Sequence, residues 1–335
     1  MKKQSIKIVG FGLSGCILAW QAHFRKYSIE IWQDGEASAS KVASGLINPV
    51  VLKRLSPVWR GHEFLQTNHH FYSKIEELLS HTFLNKVNIW QKLDGPGQVN
   101  QWQVKSSLPY FQNLLGEIHQ HNNLNYETGE LQGTSWLSTS RFLELSEIFF
   151  KQNHIFRQKT YNGEKSTTTF PIVLCQGWKA NLEIYGIPSK AFVPVKGEVI
   201  VVKLENYPFQ RVILHGGIFI IPLGSDLYKI GASYSWEELT DNPSVEGRLW
   251  LLSELQKLWK GPIEVINHEA AVRPTTMDRR PLLGKAYNLD NAYIFNGMGS
   301  RASLMAPLLA EELLDYIFYN SPLPDSCSVD RFLSK

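Results

Sequence analysis

Cysteine is scarce in this 335-residue chain: Cys16, Cys175 and Cys327 are odd in number and widely separated. With no CxxC and no Cys/His cluster, neither a disulfide framework nor a structural zinc site is expected, and a reducing cytoplasm fits best. Charge of one sign is also lacking, since 34 basic against 31 acidic side chains leave a net charge of +3, too little to identify a polyanionic partner. Long apolar runs are missing as well. The fullest stretches near the C-terminus are broken by Glu311, Glu312 and Asp315, so none reaches the ~18 residues of a membrane span. Lys2 and Lys3 ahead of the apolar stretch Ile8 to Trp20 imitate a secretory signal, yet Lys7 interrupts the entry to that stretch and no small-x-small cleavage site follows. Walker A, HExxH and GxSxG patterns are absent, which leaves His215-Gly216-Gly217 as a turn. His69 and His70 are neighbours on an expected helix and cannot chelate from one face, so no metal is expected.

What is present is a globular composition, 43% apolar and 19% charged, in a chain long enough to divide into two lobes. Ser5 to Val9 reads as a β-branched strand, Cys16 to Lys26 as a helix and Ile29 to Trp32 as a second strand, a βαβ unit that places the class as α/β. Gly61 to Leu79 carries Phe64, Asn68, Phe71, Ile75 and Leu78 at helical spacing. Residues 86 to 137 change to short strand-like runs with a turn at Asp94-Gly95-Pro96-Gly97, and Gly197 to Leu204, Gly217 to Ile221 and Leu227 to Ala232 continue in that style. Pro171 to Leu174 and Ala292 to Phe295 read as buried strands, and Leu304 to Tyr319 as a terminal helix. The expected architecture is α/β (α+β overall): a Rossmann-like nucleotide-binding domain of residues 1–85, 140–192 and 267–335. An antiparallel-sheet domain of residues 86–139 and 193–266 is inserted into it.

Gly10-Phe11-Gly12-Leu13-Ser14-Gly15 is GxGxxG between a strand and a helix. There the glycines permit the tight turn, the approach of a pyrophosphate and close helix–strand packing, with the helix N-terminus toward the phosphates. The ribose-binding acid belongs at the end of the second strand, where Gln33 stands with Asp34 after it. Gln33 accepts a hydroxyl through its amide oxygen, or Asp34 takes that place.

Three further motifs follow: AFVPVKG at Ala191 to Gly197, AAVRPTTMDRRPLLG at Ala270 to Gly284, and NGMGSRASLMAPLLAEEL at Asn296 to Leu313. Together with GFGLSG they resemble the D-amino-acid oxidase superfamily of FAD enzymes along the whole chain. The C-terminal motif is most similar to the FAD domain of the bifunctional tRNA carboxymethylaminomethyluridine-modifying enzyme, with glycine oxidase and sarcosine oxidase as further relatives. The resemblance implies a Rossmann-like FAD-binding domain with an inserted substrate domain. It also implies non-covalent FAD, as the C-terminal motif holds no cysteine. Ala39 to Pro49 looks like the segment that passes the flavin ring, which brings Ser40, Ser44, Gly45 and Leu46 to the cofactor. Gly177 and Trp178 match the family's turn glycine and aromatic, although Cys175-Gln176 replaces the usual alanine-threonine before them, and Ala302 replaces a glycine after Arg301.

The chemistry of the residues agrees. Backbone N–H groups of Gly297, Met298, Gly299 and Ser300, ahead of a helix, suit the negative charge that develops around N1 and O2 of a reduced flavin. Arg273 ends the apolar strand Ala270-Ala271-Val272; a guanidinium there suits a substrate carboxylate, with a structural ion pair to Asp278 as its alternative. Arg301 is the second cation, placed near the flavin or the carboxylate, and Tyr234 and Trp236 are candidates to line the substrate pocket. The implied activity is oxidation of the C–N bond of a carboxylate-bearing amine by hydride transfer to flavin N5, imine hydrolysis and reoxidation by dioxygen. One alternative is a tRNA wobble-uridine modification protein, with Trp90, Trp102, Trp136, Lys92, Lys105 and Arg141 as candidate RNA contacts. Another is a flavin-binding protein without turnover.

Overall fold

The computed structural model describes residues 4–35, 39–121, 126–161 and 170–333. Ser5–Val9 forms the centre of a six-stranded sheet, flanked in parallel by Ser28–Gln33 and Ile172–Leu174. Phe156–Gln158 and Ala292–Asn296 extend it in parallel on either side, and Leu282–Lys285 closes one edge antiparallel. Every residue of the first helix, Leu13–Phe24, from Gly15 to Ala22 is buried, between this sheet and the terminal helix Ala302–Tyr319. A helix buried on all sides must be apolar on all sides, which is why its sequence imitates a secretory signal.

Helix Gly61–Leu79 buries Phe64, Asn68, Phe71, Tyr72 and Ile75. Leu78, expected on that face, is 50% exposed; the chain turns out of the helix at Ser80 in a left-handed conformation, and Leu79 packs on the core in its place. Asp94-Gly95-Pro96-Gly97 is a helix start as well as a turn. Gly95 adopts φ 83° as the N-cap and Pro96 opens helix Pro96–Ser106, the position where a missing N–H costs nothing. That helix delivers Trp102, 1% exposed, to the core beneath the second sheet.

The second sheet has eight strands in the order 264–273, 195–203, 227–231, 218–224, 212–215, 89–93, 126–131 and 115–121. Adjacent strands are antiparallel except Val212–His215 beside Ile89–Leu93, the parallel joint at which the two inserted segments become one sheet. Glu264–Arg273 pairs with Val195–Lys203 along its whole length, so a domain break at 266/267 would cut a strand of this sheet. Helix Val245–Gln256 covers the sheet's outer face, burying Leu251 and Leu255 against Ile200, Val202, Tyr228 and Ile230. Its N-terminus meets the buried carboxylate of Glu198, which accepts from the Ser244 amide at 2.9 Å and the Ser244 hydroxyl at 2.6 Å. The opposite face looks toward the first domain, where helix Ala39–Val42 and the turn Gly177–Lys179 pack on strand Glu264–Arg273.

Gly129 packs tightly in the core of the second sheet: a Cβ there would lie 2.4 Å from the Trp102 indole. Gly129→Ala should lower stability in urea unfolding by about 1–3 kcal/mol through overpacking, and Trp102→Leu should relieve part of that loss. An unchanged unfolding midpoint for Gly129→Ala would contradict this packing.

Candidate active site

The glycine loop is held by contacts too close for any side chain. A Cβ on Gly10 would lie 2.5 Å from the Cys175 carbonyl oxygen, and one on Gly15 would lie 1.9 Å from the Gly10 carbonyl oxygen. Gly10 also has φ 96°. The backbone therefore presents a bare concave turn at the start of helix Leu13–Phe24, with Gly12 as N-cap and Ser14 in the first turn. Gln33 reaches this turn from the end of its strand and accepts from the Phe11 amide at 2.7 Å, while Asp34 lies beside it. The Gln33 carboxamide also donates one N–H to Asp34 at 3.4 Å, which leaves a second lone pair and one N–H on the amide. Ser40 accepts from the Leu13 amide at 2.8 Å, so the expected flavin-passing segment is tied directly to the helix N-terminus.

That segment is anchored at several further points. A Cβ on Gly45 would lie 1.9 Å from the Leu137 carbonyl oxygen, and Leu46–Ile47 pairs with Ser135–Leu137. The Ser44 carbonyl accepts from the Trp136 indole at 2.9 Å. From the second sheet, Lys229 donates to the Ala43 carbonyl at 3.1 Å; burial holds its pKa below the ordinary lysine value, and the charge of Glu269 opposes this only in part. From the terminal helix, Arg301 donates to the Asn48 carbonyl at 3.1 Å.

The C-terminal glycine turn joins the same region. Asn296 donates to the Gly177 carbonyl at 2.9 Å and accepts from the Gly297 amide at 2.8 Å. The Gly299 amide donates to the Pro274 carbonyl at 3.1 Å, which places Arg301 beside the strand end that carries Arg273. Of the four amides expected to face a flavin, those of Gly297 and Gly299 are thus taken by the protein, and the expectation narrows to Met298 and Ser300. Trp178 follows Gly177 in its turn, half-buried.

Arg273 lies across the face of the second sheet over Gly197, where a Cβ would come within 2.0 Å of the guanidinium. It donates to the Ser233 carbonyl at 3.3 Å and sits 4.6 Å from the centre of the Tyr234 ring. Asp278 is not its partner. That carboxylate binds Arg331 at 2.7 Å and 3.1 Å; burial pushes its pKa up, but the bonds from Arg331 and the Arg280 amide outweigh this and hold it below the ordinary value. Arg273 and Arg301 form no ion pair with a described residue, and burial pulls the pKa of each below the usual arginine value, with the Tyr234 hydroxyl opposing in both cases. Tyr234 and Trp236, 54% and 58% exposed, stand stacked at the rim with ring centres 6.5 Å apart.

The candidate RNA contacts are engaged within the fold. Trp102 is buried with its indole bonded to the Gly116 carbonyl, Trp136 holds Ser44, and Trp90 stacks on His119. Lys105 donates to the Leu55 carbonyl, while Lys92 and Arg141 pair with Asp94 and Glu144.

The sequence profile of the family described as FAD dependent oxidoreductase (DAO) matches residues 143–316, just over half of the chain. The chain belongs to this FAD dependent oxidoreductase family. Glycine oxidase of Bacillus licheniformis is 26% identical over 134 residues, 39% of this chain and 36% of that protein. The tRNA 5-methylaminomethyl-2-thiouridine biosynthesis bifunctional protein MnmC of Campylobacter jejuni subsp. jejuni serotype O:6 is 24% identical over 311 residues, 86% of this chain and 47% of that protein. The chain thus spans between about a third and about half of the length of these curated relatives. Among solved structures, glycine oxidase from Geobacillus kaustophilus matches with a TM-score of 0.78 at 17% identity over 96% of each chain. Iminodiacetate oxidase from Chelativorans sp. BNC1 matches with a TM-score of 0.78 at 16% identity over 98% of each. At those identities the likeness is one of fold.

FAD is the cofactor of this oxidoreductase, and the bare turn at Gly10 to Gly15 fits a pyrophosphate. Cys175, beside that turn, is buried, and burial raises its thiol pKa, which suits packing rather than attachment. Among the described residues no helix is long and apolar enough to cross a membrane. Sequence reasoning missed Lys229, Glu269 and Asn48. Lys229 could have been found as Arg273 was, as a cation inside the apolar strand Leu227–Gly231.

Lys229→Met should remove the donor to Ala43 while keeping its bulk, and weaken FAD retention roughly tenfold when apoprotein is titrated with FAD. Unaltered affinity would show that this contact does not position the segment.

Proposed function

We propose that the chain oxidises the C–N bond of an amine that carries a carboxylate, an amino acid or an N-substituted glycine. One observation carries this reading: Arg273 is a half-buried guanidinium with a backbone carbonyl and an aromatic ring as its contacts and no described acidic partner. Such a group costs folding free energy unless an anion completes it, and the free edge of its planar fork matches a carboxylate. The bound flavin supplies the two-electron acceptor.

The chain's own residues do the rest by position and field. Arg273 fixes the carboxylate, so the adjacent carbon is held in one orientation instead of diffusing. Arg273 and Arg301 together make the site electropositive, which favours the neutral amine over its ammonium form, and the proton leaves to solvent without a dedicated strong base. Tyr234 and Trp236 line the approach. The oxidised product is an imine that water hydrolyses, and dioxygen is the proposed final acceptor. A second reading, in which the amine belongs to a wobble uridine of tRNA, is supported by the alignment of 86% of this chain with the bifunctional MnmC protein. Salt-dependent binding of tRNA in a filter assay would favour it, and its absence would count against it.

With glycine, N-methylglycine and D-alanine as trial substrates, Arg273→Ala should raise KM about a hundredfold while the visible flavin spectrum persists. Kinetics equal to those of the parent would remove Arg273 from substrate binding.

A further inference from the structure

The charges on the site do not balance. Strand pairing puts Lys229, Glu269 and Arg273 on one face of the second sheet, together with Gly197, over which the Arg273 guanidinium lies, and Gly231, which Val199 and Phe219 cover. The charge of Glu269 acts on Lys229, where it opposes burial only in part. Arg273 and Arg301 remain, two permanent cations with no acidic partner among the described residues. They belong to one site: Pro274, next to Arg273, accepts from the Gly299 amide two residues before Arg301, and both guanidiniums lie within electrostatic reach of the Tyr234 hydroxyl.

We infer that the substrate carries two carboxylates, one held by Arg273 and the second by Arg301. The two anchors keep the forks from collapsing onto one group, since Arg273 is tied to the Ser233 carbonyl in the second sheet and Arg301 to the Asn48 carbonyl in the flavin-passing segment. A monocarboxylate leaves one half-buried cation uncompensated, whereas a dicarboxylate pairs both. The substrate class is therefore an aminodicarboxylate, such as an N-carboxymethyl amino acid or an amino acid with an acidic side chain. This inference rests on Arg273 as the first carboxylate site.

The test uses the FAD-loaded protein and two sulfur analogues that have no C–N bond to oxidise, thiodiacetate with two carboxylates and (methylthio)acetate with one. Their dissociation constants are read from the perturbation of the visible flavin band. Thiodiacetate should bind at least about tenfold more tightly. In Arg301→Met the ratio should fall toward one because the diacid loses affinity, and Arg301→Lys should restore part of it. Equal affinities in the parent protein, or a ratio unchanged by Arg301→Met, would overturn the inference while leaving Arg273 as a monocarboxylate site. If neither analogue binds, both the inference and the carboxylate reading of Arg273 fall. Should Arg301→Met not retain flavin, the parent ratio and the Arg301→Lys ratio decide.

Discussion

Backbone meeting backbone at Gly10 and Gly15 is the constraint from which the site is built. With 1.9 Å between a would-be Cβ of Gly15 and the Gly10 carbonyl oxygen, the first strand, the first helix and the loop at Cys175 come together in one arrangement. Strand Ser28–Gln33 then brings Gln33 to the Phe11 amide, and the following segment brings Ser40 to the Leu13 amide. Each later contact depends on the one before it. Once Ser40 is placed, Ala43 and Asn48 present their carbonyls where Lys229 and Arg301 reach them, and the two domains are joined through residues 39–49.

The electrostatics follow from that joint. The glycine at 197 lets Arg273 lie across the face of the second sheet with Tyr234 beside it. Glu198 and Arg60 show buried charge compensated within the fold. Glu198 faces His268 at 2.8 Å and a helix N-terminus, and Arg60 binds Glu63 and Glu312 at 2.7 Å and 2.6 Å. The two arginines of the site are the contrast: neither has an acidic partner among the described residues.

Much of the first domain was readable from the sequence because its signals are local. A glycine turn between strand and helix, a cation ending an apolar strand and a second glycine turn before the terminal helix each announce themselves within a few residues, and the strands and helices occur within a few residues of their expected bounds. The second domain was harder for a physical reason. Its sheet depends on Val212–His215 pairing with Ile89–Leu93, a contact between distant segments that no local pattern announces. Helix Val245–Gln256 exposes Val245, Leu249 and Trp250 while burying Glu254, so no apolar face marks it. The turn signal at Gly95-Pro96 was real, but the same pair also begins a helix, and only the core pocket for Trp102 decides between them. Trp102 and Trp136, candidates for stacking on RNA, turned out to serve packing and the flavin-passing segment.

The central claim is that this FAD-dependent oxidoreductase acts on an amine fixed through its carboxylate. Its most direct test is to mix the FAD-loaded protein with carboxylated amines under exclusion of air and follow the visible flavin band. Bleaching by a carboxylated amine, and none by the amine that lacks the carboxylate, is the expected result. Equal bleaching by the two, or a yellow protein that no carboxylated amine reduces, would contradict it.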